Sequence, residues 1–364
     1  MAQQKLIAIM TKHVDDLKVA GEHAAVMKIM KVIEEVFGEM VISWHSFTNC
    51  GVRHIQNPTT KEITLDQSEY IAGLKIIPTS AYAGNSSNTP CNPVLHQLYQ
   101  SLLGAVAFTG LTRLDAIVFI VALQRYSHAS EIIHVKRLNV LVKWLQKNPK
   151  KISYGRFYSK LRHIKIIADS SFKKEEEKGH SLRGLLVLLC DGLDYTKGGV
   201  CHVLDFATKA LRLVTRSTFS SELLGACDSF DHALMLLFIM NEISRGVPSK
   251  LDQKAFREHG GFAVPAALYI DALSVHAATC AAYIKPPAEK GLLAHVQYLR
   301  EAMERNLLHA LVWIDTRDMT SDGLTKGAVE RLLLHLCMDG TIAFKHEMKL
   351  WRPALLRRNA ISAQ

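Results

Sequence analysis

Two stretches of the chain, at residues 163–169 and 266–271, each end in a single acidic residue. Residues 163–168 alternate between polar and apolar side chains, as a half-buried β-strand does, and Asp169 follows them. Residues 266–270 are continuously apolar, as in a buried strand, and Asp271 follows. We therefore predict two strands whose terminal carboxylates lie at one edge of a sheet.

Two further acidic residues lie where helices are predicted to begin. Glu222 follows hydroxyl residues suited to capping a helix, and the apolar positions after it have helical spacing. Asp322 lies at the mouth of a last predicted helix, whose apolar residues are Val329, Leu332, Leu333 and Leu336. Any one of these acids alone is best interpreted as a solvated charge. Four of them, on strand, helix, strand and helix, can surround hard cations, which prefer oxygen ligands.

The charge of the chain is positive and unevenly distributed. The 364 residues include 44 Lys and Arg against 34 Asp and Glu, so the net charge of +10 favours polyanions. Between Glu131 and Asp169 there is no acidic residue, and basic and aromatic residues alternate there. This pattern predicts a nucleic-acid-binding track made of Lys143, Lys147, Lys150, Lys151, Arg156 and Lys160. A solvated helix face followed by an edge strand explains the same run equally well.

Segments rich in Pro, Gly and small polar residues divide the chain. The composition of residues 76–97 predicts a linker that follows a first domain of residues 1–75. Asn148 and Pro149 end a helical block of residues 98–150. A domain of residues 151–338 then contains all four acids, and residues 339–364 form a C-terminal tail. A chain of this length is expected to hold two or three domains.

Composition and patterning disfavour secreted and membrane proteins. The seven cysteines show no paired zinc spacing, and their odd number indicates reduced thiols. The most apolar runs, 185–190 and 234–240, are well short of the roughly 20 residues needed to span a bilayer. The N-terminus has no apolar signal segment. We therefore expect an intracellular protein of the cytoplasm or nucleus, neither secreted nor in a membrane.

Four short motifs surround the acids: 167–172 (IADSSF), 218–223 (TFSSEL), 269–274 (YIDALS) and 321–326 (SDGLTK). In sequence and in order they resemble the four ribonuclease H motifs of copia-type retrotransposon polyproteins. The resemblance implies an α/β (α+β) fold in which residues 151–338 form a ribonuclease H-like mixed five-stranded sheet flanked by helices.

The N-terminal half resembles the reverse transcriptase of the same family. Residues 11–19 (TKHVDDLKV) are similar to the strand-turn-strand that presents the paired palm aspartates, here Asp15 and Asp16, with His13 where Tyr is usual. An amphipathic stretch from residue 22 to 37 and residues 50–54 and 63–71 resemble the following strands and the start of the thumb. Residues 99–104 and 111–116 resemble the helical thumb and connection region, with Leu114 where Pro is usual.

The resemblance also implies a mechanism. Asp169 would bridge two Mg²⁺ ions, for which Mn²⁺ is an alternative, with Glu222 and Asp271 completing one metal site and Asp322 the other. The substrate would be the RNA strand of an RNA–DNA hybrid, and single-stranded nucleic acid is a further expected partner. Because the four carboxylates are clustered, we expect them to titrate as a coupled group, some ionising only when metal arrives.

Polymerase activity is not expected of this chain alone. Two-metal nucleotidyl transfer needs a third carboxylate, which in the resembling family lies on a palm strand upstream of the aspartate pair. The chain begins only fourteen residues before Asp15, so the palm is interpreted as truncated. The alternative to a nuclease is a catalytically inactive retroelement remnant that binds nucleic acid through its basic track.

Overall fold

A computed structural model describes residues 6–172, 181–211 and 213–353 of the chain. The structure is mixed α/β, as predicted, with three sheets and a block of helices. One large sheet, covered by helices on both faces, carries the predicted acidic residues, and the smaller sheets lie in the N-terminal part of the chain.

The N-terminal part begins with a two-stranded hairpin. Strands β1 (Ala8–His13) and β2 (Asp16–Gly21) are antiparallel and are followed by helix α1 (His23–Phe37), in agreement with the predicted strand-turn-strand and amphipathic stretch. A four-stranded antiparallel sheet then contains β3 (Ser46–Asn49), β4 (Val52–Gln56), β5 (Ile63–Asp66) and β6 (Ile152–Tyr154). Strand β6 lies beyond the predicted domain boundary at residue 151 but pairs with β5, which lies before it. Backbone hydrogen bonds can join strands that are far apart in sequence, so the sequence pattern did not reveal this pairing.

The helical block packs around its own core. It consists of α2 (Ser68–Ala72), α3 (Pro93–Thr109), α4 (Ile117–Gln124) and α5 (Ile132–Lys147). Helix α3 begins inside the predicted linker, because Asn92 caps it and Pro93 suits its first position. The linker is also packed rather than loose: the Asn139 amide accepts from and donates to the backbone of Ile77, and Ile77 and Tyr82 are buried.

The large sheet has seven strands in the described chain, where five were predicted. They are β7 (Arg162–Ser171), β8 (Leu182–Asp191), β9 (Gly199–Ala210), β10 (Ala266–Ile270), β11 (Ala310–Ile314), β12 (Thr341–Ile342) and β13 (Met348–Trp351). Their order is β12-β9-β8-β7-β10-β11-β13, with β10 and β11 parallel to β7 and the other neighbours antiparallel.

The two outermost strands correct the predicted C-terminal boundary. Strands β12 and β13 lie within the predicted tail, yet they pair with β9 and β11. These strands of two and four residues are too short to show a clear alternation in the sequence, and sheet pairing alone defines them. Residues 354–364 of the predicted tail lie outside the described residues.

Helices cover both faces of the large sheet. They are α6 (Thr218–Arg245), α7 (Lys250–His259), α8 (Leu273–Cys280), α9 (Leu293–Glu304), α10 (Asp322–Thr325) and α11 (Leu332–Met338). One core lies between the sheet and α6 and α9, and a second lies between the opposite face and α10 and α11. Although α6 is long and apolar enough to cross a bilayer by length and composition, Leu223, Phe230 and Leu237 are buried in the first core.

The predicted last helix is divided into two. Helix α10 ends at Thr325 and α11 begins at Leu332, because Lys326 adopts an extended conformation that interrupts the helical turn. The intervening residues 326–331, here called the Lys326 loop, lie against α4, where the Arg331 guanidinium stacks 4.9 Å from the centre of the Phe119 ring.

Candidate metal centre

Three of the four predicted acids converge at one edge of the large sheet. Asp169 on β7, Glu222 on α6 and Asp271 just after β10 each offer a carboxylate oxygen, and these atoms lie within 4.8 Å of one another. Asp169 and Glu222 are buried, and Asp271 is half-buried. We call these three residues the acid cluster. It is the only group of three or more potential metal ligands among residues 6–172, 181–211 and 213–353.

The pairing of two parallel strands places two of these acids side by side. Ile167 of β7 pairs with Tyr269 of β10, so Asp169 and Asp271 follow at the same distance along neighbouring strands. The prediction that Asp169 ends its strand was wrong, because β7 continues to Ser171 by pairing with β8. The prediction was correct for Asp271, which directly follows β10.

Helix α6 brings the third acid to the sheet. The Ser217 hydroxyl accepts a hydrogen bond from the Ser220 backbone N–H. In return, the Ser220 hydroxyl accepts a hydrogen bond from the Ser217 backbone N–H, and this reciprocal pair caps the start of the helix. Glu222 is the fifth residue of this helix and faces β7. Gly225 permits the close approach, since a Cβ atom there would lie 2.3 Å from the Ser170 hydroxyl oxygen.

Asp322 lies beside the acid cluster and is connected to it by a lysine. Lys326 Nζ is 2.5 Å from Asp322 Oδ1 and 3.5 Å from Asp169 Oδ1. The neighbouring Thr325 hydroxyl donates a hydrogen bond to Asp169 Oδ2. Helix α10 can pack this closely against β8 because Gly184, the residue paired with Asp169, has no side chain to meet Thr325.

The four carboxyl groups resist ionisation in this setting. Burial, reinforced by Asp169 and Asp271, raises the pKa of Glu222 to about 9. Burial also raises the pKa of Asp169 to about 6, although the Lys326 ammonium opposes the shift. Burial raises the pKa values of Asp271 and Asp322 as well. Glu222 is therefore expected to keep its proton near neutral pH, which agrees with the prediction from the sequence that some of the clustered carboxyl groups ionise only when metal arrives.

The donor set fits a hard divalent cation. Asp169 Oδ1 is buried and makes no hydrogen bond of normal geometry, and the Lys326 ammonium lies 3.5 Å away, so this oxygen could serve as a metal ligand at the centre of the site. Carboxylate oxygens are the ligands that Mg²⁺ and Mn²⁺ prefer, and a bound cation would offset both the burial and the mutual repulsion of the carboxylates. Such a cation remains a proposal, whereas the acid cluster that could hold it is observed.

Three residues of the site had no role in the sequence prediction. They are Thr325, Lys326 and Arg331, which contact Asp169, Asp322 and the backbone of the Lys326 loop, respectively. The four-residue spacing of Asp322 and Lys326 was a signal for an ion pair on one helical face. The additional contact of Lys326 with Asp169, which is far away in sequence, could not be predicted from this spacing.

The predicted basic track is partly engaged by the protein itself. Lys143, Lys147, Arg156 and Lys160 are exposed. By contrast, Lys150 Nζ lies 3.2 Å from Asp339, and Lys151 Nζ lies 3.6 Å from Asp66. Ion pairing reduces the charge that these two lysines can offer to a phosphate, although Lys151 is also exposed, so the other four are the better candidates.

A cleft lies between the helical block and the Lys326 loop. Its volume is about 860 Å³, and its walls come mainly from α4, α5 and residues 325–331. The residues lining it include four cationic ones and no acidic one. The cations are Arg125, Lys136, Arg137 and Arg331. Because Thr325 lines the cleft and also contacts Asp169, the cleft adjoins the acid cluster.

The predicted polymerase aspartates lie in a different setting. Asp15 is in the turn between β1 and β2, Asp16 opens β2, and both are exposed. Within the part of the chain that the structure describes, no third ligand joins them in a metal-binding group.

Comparison of the chain with protein-family models finds no match, and comparison with curated proteins finds none either. The resemblance to copia-type polyproteins therefore stays a prediction from the motifs.

Proposed function

We propose that this chain is a metal-dependent endonuclease that cleaves the RNA strand of RNA–DNA hybrids. The observation that carries the proposal is the acid cluster, in which three carboxylates distant in sequence converge in a partly buried site. The four motifs that contain these acids and Asp322 support the choice of a ribonuclease H reaction. We also propose an intracellular location, in the cytoplasm or nucleus.

The proposed fold of the large sheet is ribonuclease H-like. The strand order β9-β8-β7-β10-β11, with three antiparallel strands followed by two parallel to β7, supports it, as does the position of α6 against the sheet. The hairpin of β1 and β2 is proposed as part of a reverse transcriptase palm, and the helical block as its thumb and connection region.

Asp169, Glu222, Asp271 and Asp322 would hold two Mg²⁺ or Mn²⁺ ions. When bound, such ions activate a water molecule for attack on phosphorus and stabilise the charge on the leaving 3′ oxygen. The chain itself orients the ligands: the Thr325 hydroxyl fixes one oxygen of Asp169, and the Thr316 hydroxyl donates to Asp271 at 3.0 Å. Burial of Asp169 excludes water from its inner oxygen.

Substrate binding would depend on the cations near the site. The exposed members of the basic track and the cleft cations can neutralise phosphates of a bound nucleic acid. Tyr158, which is 84% exposed, is available to contact a sugar or base.

The experiment that tests the proposal is cleavage of labelled substrates by the purified chain in Mg²⁺ or Mn²⁺. We expect cleavage of the RNA strand of a hybrid and no cleavage of duplex DNA. The Asp169→Asn variant keeps the shape of the side chain but loses its charge, so cleavage should fall by orders of magnitude while hybrid binding survives.

The second candidate function is nucleic-acid binding without catalysis, and the exposed cations of the basic track favour it. It would be preferred if the parent chain and Asp169→Asn bound hybrid equally well and both failed to cleave it in either metal. That result would remove the enzyme assignment and retain the binding function.

A further inference from the structure

We propose that Lys326 is a built-in counter-ion of the acid cluster, which occupies part of the metal site and is displaced when divalent cations bind. This inference rests on the metal site of the proposed function, and it assigns to Lys326 a positioning and regulatory role that the four motif acids do not explain.

The position of the ammonium group is the first observation. Lys326 Nζ lies 2.5 Å from Asp322 Oδ1 and 3.5 Å from Asp169 Oδ1, so one positive charge contacts two of the four carboxylates. Asp169 is 1% exposed, which places this ion pair at the inner end of the site rather than on the surface. A divalent cation that bound the same two oxygens would compete with the ammonium for the same negative charge.

The second observation is that the loop is built to keep the lysine there. The Arg331 guanidinium donates to the backbone carbonyls of Lys326, Gly327 and Val329 at 2.8 to 3.2 Å. The same guanidinium lies over the Phe119 ring of α4. The six residues of the Lys326 loop are thereby closed into a hydrogen-bonded turn, and the Phe119 ring of α4 packs against it.

The third observation is the partial exposure of the Lys326 side chain. Its side chain is 36% exposed, so the ammonium can leave the carboxylates for solvent without unfolding α10. A long, flexible stem suits this movement, because the charged end of a lysine can turn to water while its methylene groups stay in place. The loop thus fixes the backbone and leaves the charge free to exchange.

This arrangement predicts two properties of the metal site. Without metal, Lys326 reduces the mutual repulsion of the carboxylates and stabilises the folded protein. With metal, the cost of displacing Lys326 weakens the apparent affinity, so cleavage would begin only above a threshold cation concentration.

The test measures Mn²⁺ binding by calorimetry and by the rise in unfolding temperature, on the full chain and without nucleic acid. In Lys326→Met the competing charge is gone, so half-saturation should occur at an Mn²⁺ concentration about five- to tenfold lower than in the parent, as expected for a partly screened charge a few ångströms away. Lys326→Arg retains a cation and should bind Mn²⁺ as weakly as the parent. Lys197→Met is the matched control, because Lys197 also pairs with an aspartate, Asp194, but at a remote exposed turn.

A second measurement needs no substitution and so does not depend on the folding of a variant. Acetylation of lysines in the parent chain, located by mass spectrometry, should increase at Lys326 when Mn²⁺ is added and stay constant at Lys197. Equal Mn²⁺ affinities in the parent and Lys326→Met, together with unchanged labelling of Lys326, would overturn the counter-ion role and leave the metal site intact. If Mn²⁺ bound neither the parent nor Lys326→Met, the metal site of the proposed function would itself be wrong.

Discussion

Two parts of this molecule carry paired or clustered acidic residues, and their surroundings differ completely. At the edge of the large sheet, Asp169, Glu222 and Asp271 come from two strands and a helix and meet within 4.8 Å. In the N-terminal hairpin, Asp15 and Asp16 are neighbours in sequence and are exposed to solvent. The carboxyl groups are chemically alike, but only the first set is desolvated and crowded.

The comparison shows that convergence from distant elements distinguishes a candidate site better than adjacency in sequence. Neighbouring aspartates in a turn can separate into water, so they need no cation to be stable. Carboxylates held together by a sheet and a helix cannot separate, and their repulsion must be relieved by protons, by Lys326 or by a metal. Four predictions test this difference between the two regions.

The largest expected effect separates the two sites by catalysis. Asp271→Asn should lower hybrid cleavage by about a hundredfold or more, because it removes one ligand charge from the proposed metal site. Asp15→Asn should leave cleavage within about twofold of the parent, as a control in the exposed hairpin. The measurement is initial cleavage rate at saturating Mg²⁺, and an equal loss in both variants would place the chemistry in the hairpin as well.

The second prediction concerns the pH dependence of stability without metal. The pKa of Glu222 is raised from 4.5 to about 9 on folding, so the folded state binds the proton more tightly than the unfolded state. The resulting stabilisation is complete below about pH 4.5 and is lost as the pH rises through about 9. We expect the free energy of unfolding to fall by on the order of 2–3 kcal/mol between pH 5 and 7 from this group.

Urea unfolding in the presence of a chelator would measure this fall. Glu222→Gln should flatten the slope, because an amide does not titrate, whereas Asp16→Asn in the exposed hairpin should leave it unchanged. Added Mn²⁺ should also flatten the slope in the parent chain by replacing the proton. A parent chain whose stability is constant from pH 5 to 8 would contradict the raised pKa.

A third, smaller effect is expected for nucleic-acid binding. Replacing the exposed Lys143, Lys147 and Lys160 by Ala should reduce the slope of log affinity against log salt by roughly two to three units, if each neutralises a phosphate. The control is the Lys150→Ala, Lys151→Ala double variant, whose lysines already pair with Asp339 and Asp66 and should contribute less. No change of slope in the triple variant would mean that the track is only a solvated face.

The smallest effect tests the hairpin itself. Val14 has a φ of 55°, in the left-handed region that β-branched residues disfavour. Val14→Gly should stabilise the hairpin by about 0.5–1 kcal/mol, the relief of strain less the extra chain entropy of glycine. Hydrogen exchange of the Thr11 and Lys18 amides, which face each other in a hydrogen-bonded pair of the hairpin, would report the change, and slower exchange is the expected result.

The sequence was sufficient for the elements that carry the site. The alternation before Asp169, the apolar run before Asp271 and the capping serines before Glu222 predicted β7, β10 and α6, because each signal is local. Local signals did not extend to the pairing partners. Strands β6, β12 and β13 are two to four residues long, and they exist because another strand offers hydrogen bonds.

The sequence was enough to predict the candidate ligand residues and the elements that hold them, since periodicity and capping depend on near neighbours. The arrangement of these residues in space depends on tertiary packing. Parallel pairing of β7 and β10 aligned Asp169 with Asp271, and a glycine-permitted contact brought α6 to them. The interrupted helix after Thr325 turned Lys326 toward two carboxylates, one of them 157 positions earlier in the chain. Distances and electrostatic fields of this kind arise only when remote segments pack together, so no local pattern can encode them.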